Sequence, residues 1–515
     1  MGRLPISALK AAFLLLHAVN AGVLLHYLHK HRPSRQDALL WGGLFAVLAF
    51  AGAYLEFPAD AWDHFDRIFY WDRCEFVTDH IAHQRFAYFW MWTFLGDLPL
   101  EARRMGLDLC SAFWQWLVCL QFFLLLRRLG FEREKTLFLV LASLVFLGTS
   151  AFSFRYYGLS STLLAYALYL RVLVCILDAW ENKPRRLWEV PFLLAAIFAN
   201  HFQELAFAVV ATAAVGAARL PVRWLAIGFA ISMVTLLIPD CARAWVSLWK
   251  LPSRQWDTLA LPGILGLGYA LVKWKRHPVF SALTLFPTVV LLLPPVAWWA
   301  ATYLHPVDDA YRLLYTFPTC FAFALLILEK VRKIPLAAIL LVLLSLLPFK
   351  GWRGRGYFQF YQVPAPLALD WQPQVARWFR VNRPPVWHCI FASDHVAGYS
   401  LKSSVPYTFY FREGRPPRMQ WESVLHTIRT PQELLDFIDR ERICGILVLD
   451  PKKSRERHFP NSSIGKLSGH WAKEHVARAL QLPDAFYSSA EALAERGWLK
   501  APVPPFFVFY GPPGP

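Results

Sequence analysis

The sequence predicts a polytopic α-helical membrane protein of about twelve spans, followed by a C-terminal extracytoplasmic α/β domain. Three observations support this fold class. Of the 515 residues, 56% are hydrophobic, and they occur in long apolar blocks. Blocks of about 15–25 residues suit helices that cross a bilayer. Short basic clusters separate alternate blocks, and beyond residue 350 the composition becomes that of a soluble domain.

The basic clusters define the predicted topology. Cytoplasmic loops of membrane proteins carry an excess of lysine and arginine, so these clusters are expected to face the cytoplasm. The loops between them, the N-terminus and everything after Phe349 are then expected to face outward. The apolar stretch from Trp188 to Ala218 is long for one span, and the alternation favours two short spans joined near NHFQE, Asn200 to Glu204. The six clusters are Lys30 to Arg35, Arg127 to Lys135, Lys183 to Arg186, Arg219 to Arg223, Lys273 to Arg276 and Lys330 to Lys333.

The formal net charge of +17 comes mainly from these clusters. No basic stripe with interleaved aromatic residues accompanies them, so the charge reflects topology and does not indicate nucleic-acid binding. The eight cysteines include no CxxC pair, which argues against a zinc site. Cys389 and Cys444 alone lie in the soluble region, where they are placed to pair.

Residues 351–515 form the predicted extracytoplasmic α/β domain, and residues 1–350 form the membrane module. Two helical patterns each precede a short apolar run, VWHCIFASD and CGILVLD, and these runs are predicted to be buried strands. Thr430, Pro431 and Glu433 match a helix N-cap, a first helical position and a capping box. The Pro/Gly-rich end, from Pro502 onward, is expected to be irregular.

The first large external loop, residues 57–108, begins with closely spaced acids. Like charges three residues apart on a helix lie about 5–6 Å from each other, which is unfavourable unless a cation, a proton or a substrate offsets them. The spacing therefore indicates a binding site. A solvated helix neutralised by Arg67 and Arg73 is the alternative interpretation. The acids are Asp60, Asp63, Asp66 and Asp72.

Further polar residues are predicted to lie on the same outward side. Acids and arginines together suit a phosphorylated lipid, because a carboxylate takes a proton from an incoming hydroxyl and arginines hold the phosphate. We interpret Arg155, Arg243 and Arg312 as phosphate-binding residues. Interfacial anchoring is the alternative for Arg155 and Arg312, and helix capping for His201 and Glu204. The candidate substrate-binding residues are Tyr156, His201, Gln203, Glu204 and Asp309.

With many spans, an acid-bearing first large external loop and a terminal external domain, the chain resembles the GT-C class of membrane glycosyltransferases. The resemblance implies a donor sugar on a polyprenyl phosphate and an inverting transfer. It also implies that Asp60, the first acid in ADAWDHFDR, is the general base, with Asp63 orienting the acceptor or a metal. Two features depart from the class pattern. The acidic loop follows the second predicted span, and the terminal domain lacks a WWDYG-like motif.

Two other classes of function remain open from the sequence. A transporter of lipid-linked saccharides would use the same arginines, although the predicted spans carry few ionisable groups near mid-membrane. A non-enzymatic membrane subunit of an envelope or secretion complex would use the terminal domain for docking. No cofactor is identified. Asp79, His80 and His83 offer divalent-metal donors, in a motif too short to predict a site. The expected location is a bacterial inner membrane, with membrane lipids and a glycan, lipid or protein acceptor as partners.

Overall fold

The computed structural model is mostly helical, with one small sheet near the C-terminus. The opening acidic stretch, with Asp60 and Asp63, lies outside the described residues, and so do Arg155, Tyr156 and the short motif with Asp79, His80 and His83. The described residues are 34–54, 91, 95, 100–145, 161–181, 187–201, 203–250, 254–303, 307–345, 372–382, 390–393, 408–410, 424–450, 482–504 and 506–511.

Apolar helices make up the first part of the chain. A 3₁₀ segment, Val307–Thr316, interrupts their series. The helices are α1 (Arg35–Tyr54), α2 (Leu100–Arg128), α3 (Arg133–Val145), α4 (Ser161–Trp180), α5 (Glu189–Asn200), α6 (Gln203–Ala217), α7 (Val222–Val234), α8 (Pro239–Lys250), α9 (Arg254–Val272), α10 (Pro278–Leu291), α11 (Pro294–Tyr303), α12 (Cys320–Val331) and α13 (Ile334–Ser345).

The expected dozen spans are not confirmed. Within the described ranges, two helical segments are long and apolar enough to cross a membrane, Leu109–Arg128 and Thr162–Trp180. A third is reached if Arg223–Leu237 and Pro239–Val246, which meet at 104°, count as one broken span. Several other apolar helices have only 10–17 residues. At about 1.5 Å per residue such helices are shorter than the roughly 30 Å of a bilayer core, which hydropathy alone does not reveal.

Contacts between described residues that lie in or beside the six basic clusters link these clusters to one another. Five contacts do this, and each joins two different clusters or their flanking residues. Loops joined in this way share one face of the helical bundle, as the predicted topology requires. The contacts are Arg133 Nη2 to Asp37 Oδ1 at 2.6 Å, Arg128 Nη2 to Glu181 Oε2 at 2.6 Å, Arg219 Nη2 to Trp180 O at 3.1 Å, stacking of Phe131 on His277 at 5.4 Å, and Lys273 Nζ to Glu329 Oε1 at 2.8 Å.

The stretch from Trp188 to Ala218 contains two helices that reverse direction, as the alternation predicts. Glu189, at the start of α5, pairs with Arg171 of α4. Arg219, just after α6, donates a hydrogen bond to the Trp180 carbonyl at the end of α4. The two contacted residues of α4, Arg171 and Trp180, are nine residues apart, or about 14 Å along the helix. One straight helix over 189–217 would place its two ends about 42 Å apart. The turn between α5 and α6 therefore lies away from the basic face.

The C-terminal part contains the predicted α/β unit. Its helices are α14 (Gln372–Asn382), α15 (Pro431–Glu441) and α16 (Asp484–Glu491), and its strands are β1 (Ile390–Ser393), β2 (Thr408–Tyr410), β3 (Ile443–Leu449), β4 (Leu499–Val503) and β5 (Phe506–Tyr510). The strand order is β2-β1-β3-β5-β4. The first three strands are parallel, and β5 is antiparallel to both of its neighbours.

Both predicted strands are confirmed as neighbours, and the capping box at Thr430 and Glu433 is present. The expectation of an irregular end is wrong, because β4 and β5 complete the sheet. The run FFVFY consists of aromatic and β-branched residues, which suit a buried strand. Pro502 lies on β4, the edge strand, where a missing backbone donor is tolerated.

Cys444, at the start of β3, is disulfide-bonded. The described cysteines Cys110, Cys119, Cys175, Cys241 and Cys320 are free. Cys74 and Cys389 lie outside the described residues. The sequence-based pairing of Cys389 with Cys444 stays a prediction.

Candidate functional site

Four of the predicted site residues meet where α5 gives way to α6. His201 lies between the two helices in an extended conformation, with φ −164° and ψ 108°. Gln203 and Glu204 are the first two residues of α6. Arg312 comes from the 3₁₀ segment, and its Nη1 donates to Gln203 Oε1 at 3.4 Å across 109 residues of sequence. We call these four residues the outer cluster, because they lie at the turn that is remote from the basic face.

The backbone at the turn is fixed by local hydrogen bonds. The His201 N–H donates to the Ile197 carbonyl at 2.7 Å, and the Asn200 side-chain amide donates to the Ala196 carbonyl at 2.7 Å. Two carbonyls in the last turn of α5 are thereby satisfied, which a buried helix end needs. The expectation that His201 lies at a helix end is correct, since it follows the last residue of α5. The same residue also makes a specific side-chain contact.

That contact is the closest polar interaction of the outer cluster. His201 Nδ1 lies 2.6 Å from Glu204 Oε2. The His201 side chain is 14% exposed and the Glu204 side chain is 0% exposed. Within the described part of the chain, Glu204 Oε1 has no hydrogen-bond partner. Burying a carboxylate without partners costs free energy. Here the contact with His201 and the helix dipole at the N-terminus of α6 both stabilise the Glu204 carboxylate.

Two tyrosines of α4 hold the 3₁₀ segment in place, and sequence reasoning did not identify them. Tyr166 Oη donates to the Tyr315 carbonyl at 2.9 Å, and Tyr169 Oη donates to the Thr316 carbonyl at 2.7 Å. Both tyrosine side chains are fully buried, and both rings contact Phe207 of α6 edge-on. They therefore tie the segment that carries Arg312 to the helix that carries Glu204. The signal in the sequence was two tyrosines three residues apart in an apolar helix, because each buried hydroxyl needs an acceptor.

Arg243 lies elsewhere, on α8. Its guanidinium pairs with Asp240 one turn earlier, and its side chain is 78% exposed. The contacts between described residues do not join it to the outer cluster. The helix itself is anchored, since Trp245 Nε1 donates to the Leu292 carbonyl at 3.1 Å. Arg243 is thus presented to solvent or headgroups on a fixed helix.

The remaining predicted site residues are described in part or not at all. Asp309 lies in the 3₁₀ segment that carries Arg312, and its side chain is outside the described set. Asp60, Asp63, Arg155 and Tyr156 are outside it entirely, so their roles stay predictions. In the described ranges, histidine, cysteine, aspartate and glutamate side chains form no group of three or more that is arranged to hold a metal ion.

Comparisons with known proteins add one likeness of overall shape. No protein-family model matches the chain, and no curated protein matches it. Among solved structures, the chain is similar to the oligosaccharyltransferase of Archaeoglobus fulgidus in its apo form, with 11% identity and a TM-score of 0.44. The likeness covers 87% of this chain and 73% of that one.

Proposed function

We propose that the protein transfers a sugar from a polyprenyl-phosphate-linked donor to an acceptor at the extracytoplasmic face of a bacterial inner membrane. Asp60 takes the proton from the acceptor hydroxyl, and Asp63 orients that acceptor. Grooves between the helices hold the polyprenyl tail. The acceptor is a glycan, a lipid or a protein. The donor phosphate binds to Arg155, Arg243 and Arg312. The sugar and acceptor contact Tyr156, His201, Gln203 and Asp309, and Glu204 contributes through its contact with His201.

The observation that carries the proposal is the outer cluster itself. Arg312 contacts Gln203, which lies beside the His201–Glu204 pair in the sequence, so a guanidinium, an amide, an imidazole and a carboxylate are grouped at the turn between α5 and α6. A guanidinium suits a phosphate oxygen, and the other three groups suit sugar hydroxyls. Placing polar groups in a membrane module costs free energy, so such groups are candidates for function.

The location of the cluster supports the same proposal. The six basic clusters are linked at one face, and the turn between α5 and α6 lies away from it. By the positive-inside bias the outer cluster is then extracytoplasmic. The disulfide at Cys444 supports an oxidising compartment for the terminal domain, because stable disulfides are rare in the cytosol.

The proposal is tested by replacing the base. Asp60→Asn is nearly isosteric and should leave expression and membrane insertion unchanged, while removing a general-base contribution of about 10²–10⁴ in rate. The assay is complementation of a deletion strain, together with release of polyprenyl phosphate in isolated membranes. Asp97→Asn, a second acid in the same predicted loop, is the matched control. Full activity of a normally expressed Asp60→Asn, Asp63→Asn double variant would exclude this mechanism and favour the non-enzymatic subunit.

A proton-coupled transporter is a second candidate, because such carriers use ionisable side chains that are shielded from water, as Glu204 is beside His201. The two candidates differ in what happens to the donor. A transferase cleaves the bond between sugar and phosphate, and a carrier moves the intact lipid-linked saccharide. Reconstitution in vesicles with labelled donor distinguishes them, since only the transferase yields free polyprenyl phosphate.

A further inference from the structure

The contact between Glu204 and His201 assigns separate roles to the two residues. We infer that Glu204 is a positioning residue, which holds the His201 imidazole in the tautomer with its proton on Nδ1, so that Nε2 accepts a hydrogen bond from a hydroxyl of the substrate. This inference rests on the proposed function for the identity of the substrate. Its local part, the tautomer, concerns only two residues that the structure describes.

The geometry supports a donor at Nδ1. A neutral imidazole has one nitrogen that donates and one that accepts, and a carboxylate only accepts. Nδ1 lies 2.6 Å from Glu204 Oε2, so an ionised Glu204 accepts this hydrogen bond when Nδ1 carries the proton. Nε2 is then the nitrogen with a lone pair. A carboxylate behind an imidazole sets the same tautomer in catalytic triads, where it also orients the ring.

Burial divides the pair into an inner and an outer member. The Glu204 side chain has no exposed surface, whereas the His201 side chain keeps 14%. A substrate hydroxyl can therefore reach the imidazole but not the carboxylate. The chain keeps this carboxylate although its Oε1 has no hydrogen-bond partner among the described residues. A buried acceptor left unsatisfied costs about 1–3 kcal/mol, and a residue that is present at such a cost is a candidate for a role beyond packing.

Arg312 places this acceptor next to the predicted phosphate site. Its Nη1 reaches Gln203, which is two residues from His201 and adjacent to Glu204. A ligand that puts a phosphate on Arg312 would bring the groups attached to that phosphate close to the imidazole. The substrate class is therefore a phosphorylated lipid whose attached group carries hydroxyls, which agrees with a sugar.

The first test measures the tautomer without any activity assay. The full chain is produced with ¹³C,¹⁵N-labelled histidine, and the His201 signals are assigned by difference against His201→Gln at about pH 8, where most imidazoles are neutral. We expect the proton on Nδ1 in the wild type. In Glu204→Gln the amide can donate to Nδ1 as well as accept from it, so the population shifts toward the proton on Nε2. A wild-type proton on Nε2, or an identical tautomer in both proteins, would overturn the inference.

The second test measures turnover. Glu204→Gln should lower the rate of sugar transfer by about 10²-fold or more, with the donor KM changed by less than about threefold. His201→Gln should cost a similar factor, and the double variant should cost no more than either single one, because the two residues act as a unit. Glu204→Asp keeps a carboxylate and should recover part of the rate. Glu134→Gln, which alters the exposed second residue of α3, is the matched control and should leave the rate unchanged.

The outcomes separate this inference from the proposed function. If the wild type transfers sugar while Glu204→Gln keeps both its tautomer and its rate, the inference fails and the proposed function stands. If the tautomer shifts as expected while the wild type cleaves no lipid-linked donor, the proposed function fails and the positioning role of Glu204 stands.

Discussion

Two pairs of residues in this chain have the same spacing and opposite surroundings. His201 with Glu204 and Asp240 with Arg243 both lie three residues apart at the start of a helix, and all but Asp240 are predicted site residues. In the first pair His201 is partly buried and Glu204 is fully buried, with exposed side-chain fractions of 14% and 0%. The second is open, with 67% for Asp240 and 78% for Arg243. Sequence spacing places charges near each other, but burial determines how much their contact contributes to the stability of the protein.

Two other ion pairs fill the range between these extremes. Arg171 contacts Glu189 Oε2 through both Nε and Nη2, at 3.0 and 2.7 Å, and both side chains are about three-quarters buried. Asp37 and Arg133 meet at 2.6 Å with side chains well exposed. Coulombic and hydrogen-bond energies grow as water is excluded. The four pairs therefore predict a graded series of stability losses when one partner is removed.

The largest loss is expected for Glu204→Ala. The substitution leaves the buried His201 Nδ1 without the carboxylate and should destabilise the protein by about 1–3 kcal/mol. Apparent Tm in detergent, followed by intrinsic fluorescence, is the measurement. Glu204→Gln is the matched control and should cost less, since it keeps the volume and an acceptor.

A smaller loss is expected for Glu189→Gln, which removes the charge opposite Arg171 and keeps the shape. The expected destabilisation is about 1 kcal/mol, because the pair is only partly shielded from water. The measurement is again the apparent Tm, and Arg171→Lys serves as a second variant, since lysine cannot form the two-nitrogen contact. A loss larger than that of Glu204→Ala would break the proposed link between burial and stability.

These pairs also show what could be predicted from the sequence. His201, Gln203, Glu204 and Arg312 were identified because they interrupt apolar runs on the predicted outer side, and the structure brings them together. Their burial could not be predicted, since it depends on how α4 and the 3₁₀ segment pack over α6. Tyr166 and Tyr169 were missed for the same reason.

The fold shows a similar division between local and distant causes. The capping box and the strand Ile443–Leu449 follow from local patterns, and both are present. The predicted number of spans is not confirmed among the described residues, because helix length depends on breaks and bends, such as the 104° bend before α8, that mean hydropathy does not detect. The strand Phe506–Tyr510 was missed because the prolines around it outweighed its aromatic residues in the prediction.

A still smaller and pH-dependent effect is expected for Asp37→Asn. Hydrogen bonds from Ser34 and Arg133 hold the pKa of the Asp37 carboxyl below its usual value. A lowered folded-state pKa adds stability above the unfolded pKa, and this stability is lost as the pH falls through the folded pKa. The apparent Tm of Asp37→Asn should therefore lie slightly below that of the wild type at neutral pH. The difference should begin to shrink as the pH falls below about 4 and vanish once the pH is below the folded pKa. A difference that grows on acidification would contradict the assignment.

The smallest stability effect is expected for Arg243→Ala. This variant best separates an effect on stability from an effect on donor binding. An open pair contributes little, so the free energy of unfolding should change by no more than about 0.5 kcal/mol. If Arg243 binds the donor phosphate as proposed, the same variant should weaken donor engagement, raising KM several-fold with little change in kcat. Asp240→Asn supplies the control, because it frees the guanidinium from its partner and should lower KM or leave it unchanged. If KM is unaltered in Arg243→Ala, Arg243 does not belong to the phosphate site. Donor binding would then depend, among the described arginines, on Arg312, which contacts Gln203.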